Sequence, residues 1–332
     1  MTIKKPGNTA LSVSPIGLGL AALGRPGYIN LGHGEDLNGQ YEVEEMKKRA
    51  FKVMDEAYKN GIRYFDVARS YGKGEEFLGE WLRSRNFKSE DLTVGSKWGY
   101  TYTAGWKVDV DTHEVKEHSL DVLNRQWEET QTNLGAYLDL YQIHSATFKS
   151  GVLENREVLD ELWRLKKEEK IHIGLTVSGP IQGKIIEEAL RVKSGGELLF
   201  DTVQATWNIL ERSATPALEE AHRQGLAVII KEALANGRLT AKNQNPRFAT
   251  KHDKLKELAS RYNVGIDALA MAFVMRQPWC DTVLSGAART DHLFSNIQAT
   301  KVKETGKLEK ELAQLMEDPE DYWKLRDQLE WN

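Results

Sequence analysis

The sequence predicts an α/β fold: a single (β/α)8 TIM barrel with long loops at its C-terminal face and a helical C-terminal tail. Eight short β-branched or apolar runs recur along the 332 residues, and amphipathic helical patterns lie between them. This alternation is typical of β-α-β units and of a parallel sheet, and eight parallel strands can close on themselves. No Pro/Ser-rich linker divides the chain. We therefore expect one domain over residues 1–332, with 303–332 as its tail.

The predicted strands are the eight apolar runs in chain order. They lie at 14–21, 62–67, 92–98, 138–144, 172–178, 202–208, 226–233 and 281–287. Because the strands of such a barrel all run in the same direction, their C-terminal ends meet at one face.

The predicted helices carry apolar residues on one face at helical spacing. In the first long helix these residues are Met46, Ala50, Val53, Met54 and Ala57. Gly61 follows as a C-cap signal, and Ser119 is the predicted N-cap of a later helix. Two further stripes consist of Val158, Leu159, Leu162 and Leu165 and of Leu255, Leu258 and Tyr262.

Three long connections are rich in Gly, Asn and aromatic residues: 24–42, 99–118 and 234–252. Each follows a predicted strand, so each is expected at the C-terminal face of the barrel, where active sites of this fold are built. Loops of this length without structure of their own are usually functional. The charged tail is expected to pack on the outside of the barrel or to fold over the rim of the pocket.

Composition excludes several classes of protein. The net charge is -4 and Lys is mixed with Glu along the chain, so there is no basic stripe for nucleic acid. Cys280 is the one cysteine, which excludes an intramolecular disulfide and favours a reducing compartment. No run of ~18 apolar residues predicts a membrane span, and the N-terminus lacks the apolar core of a signal peptide. We expect a soluble, cytoplasmic enzyme.

No metal is expected in this protein. His33 with Glu35 and Asp36, and His113 with His118, are the pairs that could be imagined as ligands. Neither has the i, i+4 histidine spacing of a helical zinc site.

Polar side chains lie at or just beyond the C-terminal ends of the predicted strands, where barrel residues are more often catalytic than structural. The second strand provides Asp66 and, just beyond it, Tyr71. The third provides Lys97 and the fourth His144. The later strands provide Ser178, Gln204, Asn208, Lys231 and Glu232. Each alone has a structural explanation, but their coincidence on one face favours an active site.

A Tyr, a Lys, an Asp and a His at one rim suit reversible proton transfer to a carbonyl oxygen. A free phenol has a pKa of about 10, so Tyr71 can donate a proton at neutral pH. A nearby Lys97 ammonium is expected to lower that pKa and make the step reversible, with Asp66 holding the ammonium charged. His144 is expected to orient the carbonyl. None of these residues is a hydride source, so the chemistry requires a cofactor.

These residues resemble the catalytic tetrad of the aldo-keto reductase superfamily, (β/α)8 enzymes that use a nicotinamide dinucleotide. The similar segments are FDVARSYGKGEEFLGEWL, TVGSKWG and DLYQIHSA, and the resemblance covers essentially the whole chain. It implies Tyr71 as general acid, Lys97 and Asp66 as the pair that tunes it, and His144 as the residue that orients the substrate. It also implies a small-molecule carbonyl substrate and NADPH, with NADH possible.

The resemblance further implies a set of dinucleotide contacts. They are Gly19, Asp66, Ser178, Gly179, Gln204, Trp207, Lys231, Glu232, Leu234, Asn236, Gly237, Leu239, Gly286, Arg289 and Asn296. Gln204 is expected to bind the carboxamide and Trp207 to stack on the nicotinamide.

The chain departs from the family pattern at several of these positions. Gly179 stands where the family has Asn. Lys231 and Glu232 replace a frequent Tyr-Ser, and the basic residue common at Ala288 is shifted to Arg289.

The substrate pocket is expected to have aromatic walls. Tyr28, Trp98, Tyr100, Tyr102 and Trp106 lie in or beside the predicted rim loops, and Tyr28, Trp98 and Trp106 are predicted to line the pocket. An aromatic or sugar-like carbonyl compound would suit such walls.

Two other functions stay open at this point: a dinucleotide-binding regulatory subunit of the channel β-subunit type, and a cofactor-free barrel isomerase or hydrolase. The oligomeric state is also open.

Overall fold

Eight parallel strands close into a barrel in the computed structural model, which describes residues 1–303 and 306–332. The barrel strands are Ile16–Gly19, Tyr64–Asp66, Thr93–Trp98, Leu138–Ala146, His172–Val177, Thr202–Thr206, Ala227–Lys231 and Thr282–Ser285. Each is hydrogen-bonded to the next in chain order, and the eighth pairs with the first. The predicted (β/α)8 barrel is confirmed, and every predicted run overlaps one barrel strand.

The helices lie outside the barrel and in the connections. The α-helices span Ala21–Gly24, His33–Leu37, Val43–Lys59, Gly74–Ser84, Leu120–Asn133, Arg156–Glu168, Gln182–Ala189, Thr215–Arg223, Ala249–Arg261, Ile266–Met275, Thr290–Ile297, Gly306–Ala313 and Pro319–Asp327. Short 3-10 helices span Ser89–Asp91, Gly135–Tyr137, Phe148–Ser150, Ala235–Gly237, Pro246–Phe248 and Gln298–Lys301. Two small hairpins pair Tyr100–Tyr102 with Glu114–Lys116 and Lys193–Ser194 with Glu197–Leu198.

The helix Val43–Lys59 shows why the apolar pattern predicts the packing. Its buried residues are Met46, Ala50, Val53, Met54 and Ala57, as the sequence predicts. Gly61 follows with a φ of +90°, the left-handed conformation in which glycine ends a helix at no steric cost. Ser119 also acts as predicted, because its hydroxyl accepts a hydrogen bond from the Val122 N–H at 3.3 Å.

Alternation along each strand decides which side chains enter the barrel. On the second strand Tyr64 and Asp66 face the interior, where the Tyr64 hydroxyl donates to the Asp66 carboxylate at 2.8 Å. Phe65, between them, faces the helices and packs against Trp81 at a ring separation of 5.1 Å. Side chains two residues apart therefore share one side of the sheet.

The C-terminal tail folds back over the mouth of the barrel. After the helix Pro319–Asp327 the chain returns to the first long connection, where Asn332 and Tyr28 exchange two backbone hydrogen bonds at 3.2 Å. Both predicted placements are observed. The helix Gly306–Ala313 packs on the outside, where Glu311 pairs with Arg261 of the helix Ala249–Arg261 at 2.8 Å, and the end of the tail lies at the rim. Residues 304 and 305 of the predicted tail lie outside the described residues. In the part of the chain that the structure describes, no helix has the length and apolar character needed to cross a membrane.

The helix Arg156–Glu168 offers a test of this packing. Leu162 is fully buried, whereas Leu159, predicted on the same stripe, is only partly buried. We expect Leu162→Ala to lower the free energy of unfolding by about 2–5 kcal/mol through the cavity it leaves. Leu159→Ala is the matched control and should cost clearly less. Urea denaturation of both variants measures this, and equal losses would contradict the described packing.

Candidate active site

A cavity of about 670 Å³ opens at the C-terminal face of the barrel. Asp66, Tyr71 and His144 line one part of it. The long connections after the first, third and seventh strands and the C-terminal tail form its walls. The connection 99–118 is not structureless as predicted, because it contains the hairpin formed by Tyr100–Tyr102 and Glu114–Lys116.

The Asp66 carboxylate, at the end of the second strand, forms a buried ion pair with Lys97 from the third. The Lys97 ammonium donates one hydrogen bond to Asp66 and another to the Val67 carbonyl oxygen at 2.8 Å. The side chains of Lys97 and Asp66 are 1% and 2% exposed. Burial lowers the pKa of Lys97, and the Asp66 charge opposes that shift. The ammonium therefore depends on this carboxylate to keep its proton.

The second carboxylate oxygen of Asp66 is held from three strands. It accepts hydrogen bonds from the Tyr64 hydroxyl at 2.8 Å, from the Gln204 amide at 2.9 Å and from the Gln142 amide at 3.3 Å. Gln204 lines the cavity, but its N–H faces Asp66, so its oxygen is the atom left for a ligand. A buried carboxylate with this many donors is fixed in place without a water shell.

Tyr71 lies between the ion pair and His144. Its ring centroid is 5.0 Å from the Lys97 Nζ, and its ring meets that of His144 edge-on at 5.6 Å. Burial raises the pKa of Tyr71 well above that of free tyrosine, and the Asp66 charge raises it further. The predicted lowering of this pKa is therefore wrong, because burial and the Asp66 charge raise it. The phenol is a proton donor at neutral pH.

His144 is neutral in this environment. Burial lowers its pKa well below that of free histidine, and the neighbouring charges of Lys97 and Arg25 lower it further. Its ring also contacts the Tyr100 ring at 4.8 Å. Its Nδ1 atom is buried and has no hydrogen-bond partner among the described residues. A neutral imidazole beside the phenol can hydrogen-bond a carbonyl oxygen without adding charge.

A second buried charge cluster centres on Glu232 at the end of the seventh strand. Arg326 donates to it at 2.7 Å, the Thr206 hydroxyl at 3.2 Å, and the Lys231 ammonium lies 3.9 Å away. Lys231 also donates to Thr206 at 2.8 Å and to Ser178 at 3.0 Å. Burial raises the pKa of Glu232, but Arg326 and Lys231 outweigh it and lower the value to about 2. Burial lowers the pKa of Lys231 to about 8, although Glu232 opposes it.

Most of the predicted dinucleotide contacts line this cavity. They are Gly19, Asp66, Ser178, Gln204, Lys231, Glu232, Leu234, Asn236, Gly237, Gly286 and Asn296. The buried Oδ1 of Asn236 lacks a hydrogen-bond partner among the described residues, so a ligand donor would satisfy it. Gly286 faces open space at the start of the loop before the helix Thr290–Ile297, and helix N-termini favour phosphate groups. These features fit a dinucleotide.

Trp207 does not line the cavity, so its predicted stacking on the nicotinamide is wrong. Gln204 and Thr206 face the barrel interior, and the alternation of the strand turns Trp207 towards the helices. There its ring stacks on Phe273 at 5.3 Å, and its N–H donates to the Thr215 hydroxyl at 2.8 Å.

Two predicted walls of the substrate pocket are also wrong. Trp98 follows the inward-facing Lys97, so it points outward and packs against His118 at 5.5 Å. The indole N–H of Trp106 donates to the Tyr41 carbonyl oxygen at 2.5 Å. This hydrogen bond fixes the indole ring against the first long connection. Tyr28, the third predicted wall, does line the cavity.

Three predicted cofactor contacts are not brought into the cavity. Arg289 does not line the cavity, although Asp291, with which it is paired at 2.9 Å, does. Leu239 is buried in the apolar core. Gly179, with a φ of +99°, lies in the turn after the fifth strand.

Sequence reasoning missed several charged and aromatic residues of the cavity. They are Arg25, Glu114, Lys116, Arg326 and Trp331. Tyr100, which the sequence places among the rim aromatics but not in the predicted pocket wall, also lines the cavity. Arg25 is 3% exposed and donates to Glu114 at 2.8 Å. In the short segment Glu114–Lys116, charged residues alternate with Val115. This pattern is the one sequence feature that indicates a strand with both charged side chains on the same face. In the described ranges, 1–303 and 306–332, no group of three or more His, Cys, Asp or Glu side chains could hold a metal ion.

Comparisons with known proteins agree with this geometry. The family model described as Aldo/keto reductase family matches residues 15–315. The chain is 26% identical to the "Uncharacterized oxidoreductase YqkF" of Bacillus subtilis, over 91% of this chain and 92% of that one. It is 24% identical to pyridoxal 4-dehydrogenase of Microbacterium luteolum, over 88% and 90%. A solved holo-form aldo-keto reductase from Bacillus halodurans has the same fold, with a TM-score of 0.74, 22% identity and coverage of 96% and 97%.

Replacing Asp66 tests whether the buried ion pair stabilises this site. Asp66→Asn keeps the shape of the side chain but leaves Lys97 without a counter-charge, so we expect a loss of about 3–5 kcal/mol in the free energy of unfolding. Glu197→Gln is the control, because Glu197 pairs with Lys167 on the surface and should hardly change stability. Equal effects in urea denaturation would show that the Lys97–Asp66 pair is not the buried pair described.

Proposed function

We propose, because the chain belongs to the aldo/keto reductase family, that it reduces an aldehyde or ketone to an alcohol with NAD(P)H. Membership in the family identifies an oxidoreductase. The observation that carries the finer proposal is that a protonated phenol and a neutral imidazole line one cavity beside the buried pair of Asp66, which also lines it, and Lys97. The rest of that cavity fits a dinucleotide.

The residues then have distinct roles. A bound nicotinamide supplies the hydride, which no side chain here can. Tyr71 gives its proton to the carbonyl oxygen as negative charge develops there, and His144 hydrogen-bonds the same oxygen as a neutral donor. The Lys97 ammonium, 5.0 Å from the Tyr71 ring centroid, stabilises that charge. Asp66 keeps Lys97 charged and in place.

For the cofactor, we propose that the segment with Asn236 and Gly237 and the loop at Gly286 hold the phosphates, with Asn296 near the adenine. Ser178 and the oxygen of Gln204 are the groups available to the carboxamide. NADPH is the proposed form and NADH the alternative. Arg289 is engaged with Asp291, so a 2'-phosphate would have to compete for it.

Tyr71→Phe tests the proposed acid. General acid catalysis contributes about 10²–10⁴-fold, so we expect a loss of that size in kcat for an aromatic aldehyde with NADPH, and with NADH if it is used. Binding of NADPH, followed by fluorescence quenching, should persist. Tyr137→Phe is the control, since its hydroxyl donates to the Phe87 carbonyl oxygen outside the cavity.

Two outcomes would contradict the proposal. Full turnover by Tyr71→Phe would exclude the phenol as the acid. Tight NADPH binding without turnover of any aldehyde by the unmodified protein would instead support a regulatory subunit.

The pH dependence tests the protonation state of Tyr71. Because burial raises its pKa, the phenol is protonated throughout the neutral range. Carbonyl reduction should therefore change little between about pH 6 and pH 8, while alcohol oxidation, which needs a base, should rise by up to roughly tenfold per pH unit. Initial rates of kcat/KM in both directions measure this. A reduction rate that falls steadily over this range, with flat oxidation, would mean that the acid has a lowered pKa.

A further inference from the structure

The cationic side chains that line the cavity differ in whether they have a counter-charge. Arg25 pairs with Glu114 at 2.8 Å, Arg326 with Glu232 at 2.7 Å, and Lys242 with Asp36. Lys231 lies 3.9 Å from Glu232, and His292 lies 3.6 Å from Asp36. Lys116 also lines the cavity. Among the residues described, no carboxylate oxygen lies within 4.0 Å of its ammonium.

Lys116 is held at the cavity wall by polar and aromatic neighbours. It ends the second strand of the hairpin, directly opposite Tyr100. Its Nζ donates to the Thr147 hydroxyl at 3.3 Å and lies 5.7 Å from the centre of the Tyr100 ring. Ser145 lines the same wall. A half-buried ammonium with hydroxyl groups beside it resembles the donor arrangement that binds carboxylates and phosphates.

Within residues 1–303 and 306–332, the charge that acts most on the Lys116 ammonium is another ammonium, that of Lys149. Burial, and to a smaller extent the nearby Lys149 ammonium, lower the pKa of Lys116 to about 8. Lys116 also lowers the pKa of His118, which burial holds at about 4, so His118 is neutral. Glu114, two residues away, is occupied by Arg25. An anion arriving here would meet an ammonium that has no carboxylate partner within 4.0 Å in the described part of the chain.

Short contacts link this position to the proposed acid. The Lys116 ammonium lies over the Tyr100 ring, that ring contacts His144 at 4.8 Å, and His144 contacts Tyr71 at 5.6 Å. Tyr28 and Trp331 complete the aromatic lining of this part of the cavity. A flat substrate with its carbonyl at Tyr71 could therefore direct a substituent on its far side towards Lys116.

We propose that the substrate is a carbonyl compound with an anionic group, a carboxylate or a phosphate, and that Lys116 and Thr147 bind that group. This rests on the proposed carbonyl reduction, whose substrate class it specifies. It assigns Lys116 as a specificity-determining residue, while Tyr71 and His144 act on the carbonyl itself.

The test compares two aldehydes of the same shape, 4-carboxybenzaldehyde and the neutral 4-formylbenzamide. We expect the unmodified protein to prefer the acid by roughly tenfold or more in kcat/KM, a difference of about 1.4 kcal/mol. Lys116→Met should abolish that preference and Lys116→Arg should keep most of it. Lys107→Met, at an exposed lysine of the same connection, is the control and should retain the full preference.

A binding measurement separates this inference from the proposed reaction. The protein is titrated calorimetrically with 4-(hydroxymethyl)benzoate and with 4-(hydroxymethyl)benzamide, which need no turnover. Tighter binding of the acid that Lys116→Met removes supports the anion site even if no aldehyde is reduced, in which case only the reaction is wrong. Equal binding of acid and amide, or a preference unchanged in Lys116→Met, overturns the inference while leaving the reaction standing.

The pH dependence of the preference for the acid distinguishes a lysine that binds the anion from one with only a structural role. The preference for the acid should decline as pH rises past about 8, because Lys116 loses its proton. Lys231 titrates in the same range and lines the same cavity, and the loss of its charge also affects an anionic aldehyde more than a neutral one. The same profile is therefore measured for Lys116→Met, in which the ratio of the two kcat/KM values should stay near one at every pH. A decline that Lys116→Met reproduces, or a ratio that stays constant to high pH in the unmodified protein, contradicts the inference.

Discussion

The buried ion pair between Lys97 and Asp66 is the constraint on which the rest of the site depends. Two charges with almost no exposure are unfavourable unless each has hydrogen-bond partners. The barrel supplies them from several strands at once: Tyr64 from the second, Gln142 from the fourth and Gln204 from the sixth. These residues face inward because of strand alternation. The Asp66 carboxylate is therefore held in place only when the strands of the barrel are assembled around it.

Much of the fold and the heart of the site could be predicted from the sequence, because both follow from local patterns. Apolar periodicity marks the strands and the buried face of Val43–Lys59. Asp66, Lys97 and His144 lie at or near the ends of successive strands, and parallel strands bring such ends together. The same alternation explains the errors at Trp98 and Trp207. Each directly follows an inward-facing residue, so a strict reading of the two-residue period would have placed both outside the barrel.

Other features depend on contacts between distant segments and could not be predicted. Glu232 pairs with Arg326 across 94 positions, and Arg25 pairs with Glu114 across 89. The upward shift in the pKa of Tyr71 comes first from burial and then from the Asp66 charge. The sequence indicates a charged neighbour but not the extent of burial. A sequence motif can indicate that two opposite charges lie close together. The loss of water around a group depends on the folded cavity and cannot be read from the motif.

The C-terminal tail contributes a charge to the site through Arg326. Arg326 keeps Glu232 ionised despite its burial, and Glu232 opposes the loss of the proton from Lys231. The same helix is fixed at the barrel by Tyr322, whose hydroxyl accepts a hydrogen bond from Asn208 at the end of the sixth strand. Displacing the tail would remove the guanidinium and leave Glu232 with Lys231 as its remaining cationic neighbour. The charge state of the cavity is therefore coupled to the docking of the tail.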